Sequence, residues 1–514
     1  MFSLKNGKNM ICFYKYVYIL ALLLFEVGST ISAQVYVKIE DESVKPLVLY
    51  KSQRGNAFSR ILTRNEVMNK LLAMYKISRY EQAYPTANSA WLLDVYVMDG
   101  DDAICEALKS QLPKSFSLIE KTEMEPMEVG FSSAYYPNDY KPSVQSNLSL
   151  VRAPEAWALM GNLPRCPIGV TDTYFEKNHP DLDGQYIKVC KSSYEDKNSF
   201  HGTAVSGILG AATDNGIGYS SLSMGAHMYA SSNFGSDSEV LRMAQLGYRV
   251  INCSWLNRCS YSVIQDSVYS EVKNKWNTVV VFGAGNNSTH CGSLSAKVYP
   301  ASYESVLSVT SVGHINELGH TSQWGLADWR DCHEELIGDK ESCHHHNDAV
   351  DICAPGYNVP TTFLNSQYGG AWGTSFAAPH VASALSLMFT VNPCLTADEA
   401  MKMVVSTADS SIYEIEQNKD YVGLLGSGRL DVYRAVSAAV ESATLRLRSP
   451  EVFQDDEAVE SNYSIKIAAP VSVKSGSSVT FRTRVNFEVD SEFEVETGGA
   501  LKVDVSPDNI IVCQ

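Results

Sequence analysis

Three short runs of β-branched residues limit this fold most: "IGVTD" (Ile168 to Asp172), "VINCSW" (Val250 to Trp255) and "VVVFGAGN" (Val279 to Asn286). Each is rich in apolar residues and reads as a buried strand with polar residues towards its end. A strand apolar at every position is covered on both faces, the habit of parallel sheets flanked by helices. Helices of small residues alternate with these runs from about Ser143 to Ser442. The last long one, opening at "GTSFAAPH" (Gly373 to His380), is apolar nearly all round from Phe376 to Met388, which predicts a buried helix. In such α/β folds sites gather at the carboxyl ends of the strands, so Asp172 and Asn286 are the first candidates. Thr374 or Ser375, heading the buried helix, is either a cap or a reactive group, with Pro379 read as tolerated in the opening turn.

The chemistry follows from residue type. "SFHGTAVSGILGAA" places His201 at the head of another small-residue helix. A lone histidine is more often structural, but this one comes with a strand-end aspartate and a helix-head serine. Serine is a weak nucleophile until an imidazole takes its proton, and the imidazole needs a carboxylate to fix its tautomer. The Asn286 amide adds a donor for a developing oxyanion.

These four stretches resemble motifs of the subtilisin family of serine peptidases: "VTDTYFEKNHPDL", "HGTAVSGI", "VVVFGAGNNS" and "GTSFAAPH", in the family's order aspartate, histidine, serine. "YPASY" (Tyr299 to Tyr303) and "DICAPG" (Asp351 to Gly356) match as well. The resemblance implies an α/β parallel-sheet catalytic domain that hydrolyses peptide bonds through an acyl-enzyme. It implies Asp172 as orienting carboxylate, His201 as general base then acid, Ser375 as nucleophile and Asn286 in the oxyanion hole, with Thr374 assisting. It also implies substrate binding by Ser254, Trp255, Leu256, Gly283, Ala284, Gly285 and Val298. Tyr174, Leu256 and Val298 stand where the family usually carries glycine or a more open pocket, which argues against a deep pocket for large side chains. No cofactor is required for that chemistry. Asp181 and Asn215 match positions that hold a structural calcium in many relatives, and oxygen ligands suit that ion.

Outside this region the chain changes character. Lys5, Lys8 and Lys15, an apolar run from Val17 to Phe25 and small residues up to Ala33 have the layout of a secretory signal, residues 1–33. The mature chain is expected outside the cytoplasm, as a secreted, periplasmic or surface protein without a transmembrane anchor. Residues 34–126 read as a small α+β unit. Val35, Val37 and Ile39 alternate as in a strand, Val67, Leu71 and Met74 follow helical spacing, and "WLLDVYVM" (Trp91 to Met98) and "FSLIEKT" (Phe116 to Thr122) read as strands around a helix with Ile104, Leu108 and Leu112 on one face. This unit resembles the inhibitory propeptide of the family, released near Pro126 to Phe131. The peptidase domain is then 127–443. Beyond it, 446–514 reads as a small all-β module in which Val473, Gly476 and Val479 recur 22 residues on as Val495, Gly498 and Leu501.

A formal net charge of −17 argues against nucleic acid as a partner, leaving protein or peptide substrates and the chain's own propeptide. Short spacing makes Cys253 with Cys259, and Cys332 with Cys343, the natural local disulfides. The polar insertion "CHEELIGDKESCHHHND" (Cys332 to Asp348) lacks paired CxxC spacing and reads as a disulfide-tied loop with an exposed histidine cluster rather than a zinc site. Two other readings stay open: a binding or surface protein on a protease scaffold, and a ligase or macrocyclase that passes the acyl group to an amine.

Overall fold

In the computed structural model the described residues are 33–47, 61–75, 77, 79–82, 93–100, 103–122, 134–193, 195–286, 291–313 and 344–509. The chain divides into two compact units, 1–130 and 131–514. In the first, strands β1 (Ala33–Ile39), β2 (Arg79–Gln82), β3 (Val95–Gly100) and β4 (Phe116–Thr122) form an antiparallel sheet in the order β2-β3-β1-β4, accompanied by helices α1 (Glu66–Met74) and α2 (Ile104–Gln111). Val35, Val37 and Ile39 all point into the core, as their alternation predicts. The α1 helix starts where the Asn65 side chain accepts from the N–H groups of Val67 and Met68. Its buried face is Met68, Leu71 and Leu72, while Val67 and Met74 are exposed, so the spacing locates the helix but misses its apolar face by a residue. The strand expected from Trp91 begins instead at Val95, and Trp91 itself lies outside the described residues.

The second unit opens with short helices α3 (Ser146–Leu150) and α4 (Ala153–Trp157) and is built on a parallel sheet of seven strands. These are β5 (Ile168–Thr171), β6 (Tyr186–Cys190), β7 (Met228–Ser231), β8 (Val250–Cys253), β9 (Val279–Gly283), β10 (Leu307–Val312) and β11 (Ile352–Pro355), in the order β11-β10-β9-β8-β5-β7-β6. The β5, β7, β8, β9, β10 and β11 strands are buried at every position, as expected for β5, β8 and β9, and the burial takes in polar residues, Asn252 in β8 and Ser308, Thr310 and Ser311 in β10. From β5 the chain lays β6 and β7 to one side, then crosses to the other side for β8. The order therefore turns about β5, and the crevice beyond the carboxyl ends of β5 and β8 is where a site is expected.

Helices α5 (His201–Gly210), α6 (Asp237–Gln245), α7 (Val263–Asn274), α8 (Thr374–Val391), α9 (Ala397–Ser406) and α10 (Val432–Ser442) surround the sheet. The α5 helix packs on a hairpin of β12 (Val359–Phe363) and β13 (Gln367–Ala371); a Cβ at Gly207 would sit 2.4 Å from Thr361 Oγ1, so only glycine permits this approach. The α8 helix is long and apolar enough to cross a membrane by length and composition, but 94% of it is buried and it lies against β8 to β11. Every one of its residues except Ser375 is buried.

The disulfide expected between Cys253 and Cys259 is not formed. Cys253 ends β8 with its thiol buried in the core, whereas Cys259, in the loop beyond, pairs with Cys291. Cys332 lies outside the described residues, as does Cys343.

The tail is a three-sided parallel coil. Strands β14 (Thr444–Leu447), β15 (Glu451–Phe453) and β16 (Glu457–Ser461) form the first turn; β17 (Ser464–Ile467), β18 (Val471–Val473) and β19 (Ser478–Thr483) the second; β20 (Asn486–Val489), β21 (Phe493–Val495) and β22 (Ala500–Val505) the third. They stack as β14-β17-β20, β15-β18-β21 and β16-β19-β22, all parallel, which makes a β-solenoid. The recurrence at 22 residues is its register: Val473 pairs with Val495 and Val479 with Leu501, while the Gly476 N–H donates to the Gly498 carbonyl at 3.0 Å. The solenoid is fastened to the sheet domain, with Arg484 donating to the Thr390 carbonyl at the end of α8 and the Tyr463 hydroxyl to that of Leu159, both at 2.8 Å.

Candidate active site

Asp172 follows the last residue of β5 and is 2% exposed. Its Oδ1 accepts from the Thr173 N–H and from His201 Nδ1, each at 2.7 Å. His201 is the first residue of α5, and the approach of α5 to β5 depends on the next residue: a Cβ at Gly202 would lie 2.5 Å from the Tyr174 carbonyl and 3.0 Å from Asp172 Cβ. Burial alone lowers the His201 pKa; the charge of Asp172 and its hydrogen bond outweigh that and leave it raised. With Nδ1 held by the carboxylate, Nε2 is the nitrogen available for proton transfer.

Ser375 stands at the amino end of α8, next in sequence to Phe376, whose ring lies 5.4 Å from that of His201. Its Oγ donates to the Ser254 carbonyl at 3.4 Å, and no bond to His201 is formed in this conformation. The proline that looks misplaced in this helix has a local explanation. Pro379 lies inside the helix rather than in its opening turn and lacks the N–H that would reach the Ser375 carbonyl four residues back. Ser254 Oγ donates to that carbonyl at 2.8 Å and replaces the missing bond. The loop after β8 is thereby locked to the helix end that carries the nucleophile.

Asn286 is oriented by what its oxygen accepts. Oδ1 takes bonds from the Thr374 N–H at 2.9 Å and from Thr374 Oγ1 at 3.1 Å, while Thr374 Oγ1 itself accepts from the Gly285 N–H at 3.2 Å. The Nδ2 donors are left facing the helix end, where Gly373 has a φ of 127° and a Cβ would lie 3.2 Å from Nδ2. The first N–H groups of α8 have no acceptor within the helix. A carboxylate–imidazole pair, a hydroxyl beside it and amide donors at a helix start form an arrangement suited to acyl transfer.

The profile of the subtilase family matches residues 166–429, more than half of the chain and all four of these positions. The chain belongs to the subtilase family. It is a serine-type endopeptidase, similar to the thermophilic serine proteinase of Bacillus sp. (strain AK1), with 29% identity across 60% of this chain and 71% of that one. It is also 29% identical to thermitase of Thermoactinomyces vulgaris, over 59% of this chain and 99% of thermitase. A solved protease chain from Pseudoalteromonas arctica PAMC 21717 aligns with 59% of this chain and 99% of its own, at 21% identity and a TM-score of 0.44.

The remaining candidates of this subtilase divide by position. Gly283 abuts Thr374, its Cβ position being 2.9 Å from Oγ1, and Ala284 is fixed by its N–H to the Val309 carbonyl at 2.8 Å. Val298 is fully buried, with Cγ2 3.2 Å from the Cβ position of Gly285. Trp255 turns inward: its Nε1 donates to Thr171 Oγ1 at 2.6 Å and its ring meets Phe282 edge-on, so it supports the loop from beneath. Leu256 packs, half-buried, against the same core.

The histidine cluster is not exposed. His344 and His345 are 0% exposed and His346 is 9% exposed. His344 bridges Asn286 across an antiparallel pair and bonds Ser311 through Nδ1; burial pushes its pKa down to about 3, so it stays neutral. The His345 N–H donates to the Gly285 carbonyl at 2.9 Å, and its ring lies 3.2 Å from the Cβ position of Gly285. This short segment supports the Gly285–Asn286 corner from behind. Its composition suggests surface, and its burial follows from long-range bonds to the Gly285–Asn286 corner, to Thr310 and Ser311 of β10 and to the Ala296 carbonyl.

Asp181 and Asn215 do meet, but as donor and acceptor. Asp181 Oδ1 accepts from Asn215 Nδ2 at 3.4 Å and Oδ2 from the Tyr219 N–H at 2.9 Å, while Asn215 Oδ1 is occupied by the Ile217 N–H at 2.8 Å. Calcium takes six to eight oxygens. These N–H groups face Asp181 together with the Tyr368 hydroxyl and, near by, the Asp139 carboxylate, and burial raises the Asp181 carboxyl to about 6. Asp181 and Asn215 alone supply fewer oxygens than calcium takes.

Proposed function

We propose that this subtilase is a secreted endopeptidase working through an acyl-enzyme on Ser375. Ser375 Oγ turns from the Ser254 carbonyl to His201 when substrate binds, and His201 Nε2 takes its proton as Oγ attacks the scissile carbonyl. Asp172 holds Nδ1–H and stabilises the imidazolium. The Asn286 amide and the Ser375 N–H donate to the oxyanion. The C–N bond then breaks as His201 returns its proton to the leaving amine, and water activated by the same imidazole releases the acid. The observations that support this reading are the 2.7 Å His201–Asp172 bond, the packing of the His201 ring on Phe376, and Ser375, next in sequence, as the one residue of α8 that is not buried.

The reading extends to maturation and specificity. Residues 1–33 act as an export signal, and the α+β unit, 34–126, is a propeptide that inhibits until it is cut away near residues 126–131. The fully buried Val298 and the His345 ring behind Gly285 support a shallow primary pocket that takes small side chains. The reaction uses the chain's own groups and water, without a cofactor.

Incubation of the processed enzyme with an unbiased peptide library, with products read by mass spectrometry, tests the reading. Expected are new free amino and carboxyl termini after small residues, all absent with Ser375→Ala. Joined or cyclic peptides in their place would reassign the enzyme to acyl transfer onto amines.

A further inference from the structure

The histidine and the serine of the site are each preceded by an exposed aromatic residue. Phe200, directly before His201, is 41% exposed, and Trp372, which leads through Gly373 and Thr374 to Ser375, is 53% exposed. The Phe200 ring stacks on that of Phe363 at the end of β12, with centroids 4.7 Å apart and planes 15° from parallel. Phe363 is half-buried and rests against β13, its Cε2 3.2 Å from the Cβ position of Gly369. From Gly369 the same strand runs through Gly370 and Ala371 to Trp372 and the head of α8. One aromatic ledge thus borders both reacting side chains.

The ledge is held in place from beneath. Thr361 Oγ1 and Thr362 Oγ1 donate to the carbonyls of Ala204 and Thr203 in α5, at 2.5 and 2.7 Å. These bonds and the Gly207 contact already pin α5 to the hairpin, which needs no open aromatic face. Chemistry fixes which part of a substrate passes over that face. His201 Nε2 returns its proton to the leaving amine, so the leaving nitrogen lies within hydrogen-bond reach of the imidazole. An extended chain advances at most about 3.3–3.6 Å per residue, so the first few residues beyond the scissile bond run over the groups that adjoin His201. Contiguous exposed apolar surface marks a contact site, and ring pairing adds to what area burial contributes, so a further ring suits a stacked pair best.

We propose that Phe200, Phe363 and Trp372 form a leaving-side subsite that selects peptides carrying an aromatic residue within the first few positions after the scissile bond. The inference rests on the peptidase reading above and deepens it. Specificity is then divided across the bond: the acyl side is limited to small side chains by Val298 and His345, and the leaving side is chosen by the ledge.

The test uses internally quenched peptides that share one acyl side and carry Phe, Ala or Asp at each of the first few leaving-side positions in turn, cleaved by the processed enzyme. At one of these positions Phe should exceed Ala in kcat/KM by about tenfold or more, with Asp no better than Ala. Phe200→Ala should bring the Phe-to-Ala ratio to within about threefold, Trp372→Ala should also lower it, and Phe200→Tyr should restore it. Each variant is compared with itself across substrates, so a loss of stability or of general activity does not move the ratio. Ser375-dependent cleavage at equal rates for Phe and Ala at every position, or a ratio that survives both Phe200→Ala and Trp372→Ala, would overturn the subsite and leave the peptidase reading standing. No cleavage of any member by the processed enzyme would overturn both.

Discussion

The seven-stranded sheet and the terminal solenoid are both parallel, yet they bury themselves in opposite ways. The sheet hides two faces beneath helices, so β9 is buried at all five positions. The solenoid hides one face by wrapping on itself, so β19 alternates inward and outward along its length. Parallel pairing therefore does not set the sequence pattern; the number of covered faces does. In the sheet, polar residues within strands such as Ser308, Thr310 and Ser311 are buried, and the candidate catalytic groups Asp172 and Asn286 lie beyond strand ends. In the solenoid polar residues run along every strand.

Paired core truncations test that contrast with the largest expected effects. Phe282 and Phe481 are both fully buried, and Phe282→Ala or Phe481→Ala should each cost about 3–5 kcal/mol of local stability. Phe282→Ala should take turnover down with the fold, while Phe481→Ala should leave kcat within about twofold, since distant sites act independently. Melting curves recorded beside initial rates give the answer. A tenfold loss of kcat in Phe481→Ala would mean the solenoid supports catalysis directly.

Next come changes at the strand ends. Asn286→Ala should lower kcat on the order of 100- to 1000-fold with little change in KM, as expected for a donor used mainly in the transition state. An equal rise in KM instead would place Asn286 in substrate binding. Ser254→Ala leaves the Ser375 carbonyl without its donor and should cost about 1–3 kcal/mol, read as a lower melting temperature together with reduced kcat. If neither moves, the account of Pro379 fails.

How far these features were legible depends on how local their causes are. Strands β5, β8 and β9 and the buried α8 helix follow from their apolar runs, and Asp172, His201, Asn286 and Ser375 from their places at strand and helix ends, while β6 with Lys188 and β10 with Ser308, Thr310 and Ser311 carry no such run. The solenoid left only a partial trace, because its third turn follows the second at 22 residues while Thr444 and Ser464 in the first two turns pair at 20. The Cys259–Cys291 bridge joins loops after different strands, so spacing along the chain pointed to the wrong partner. His344 and His345 are polar in type and buried by long-range pairing with the Asn286 corner, which no local pattern records. The family resemblance assigns Ser254 to substrate, whereas its hydroxyl also mends the bond that Pro379 removes.

Smaller effects come from titration and from metal. Turnover needs neutral His201, and Asp172 raises the His201 pKa, so the acid limb of the kcat/KM profile should fall at a pH above the ordinary histidine value and move down in Asp172→Asn. The pair's contribution to stability has the opposite sense: it is present below the unfolded-state pKa and lost as pH rises through the folded one. An acid limb at or below the ordinary value would deny the coupling. Smallest is the response to chelator: with N–H groups filling the Asp181 site, EGTA should shift the melting temperature by less than about 1 °C. A shift of several degrees would restore calcium to that site.

The most direct test of the central claim is covalent. A fluorophosphonate probe should label the processed enzyme once, at Ser375, with labelling lost in Ser375→Ala and slowed in His201→Ala. Labelling that survives Ser375→Ala, or none in processed wild type, would contradict the assignment of the strand-end site as the catalytic centre.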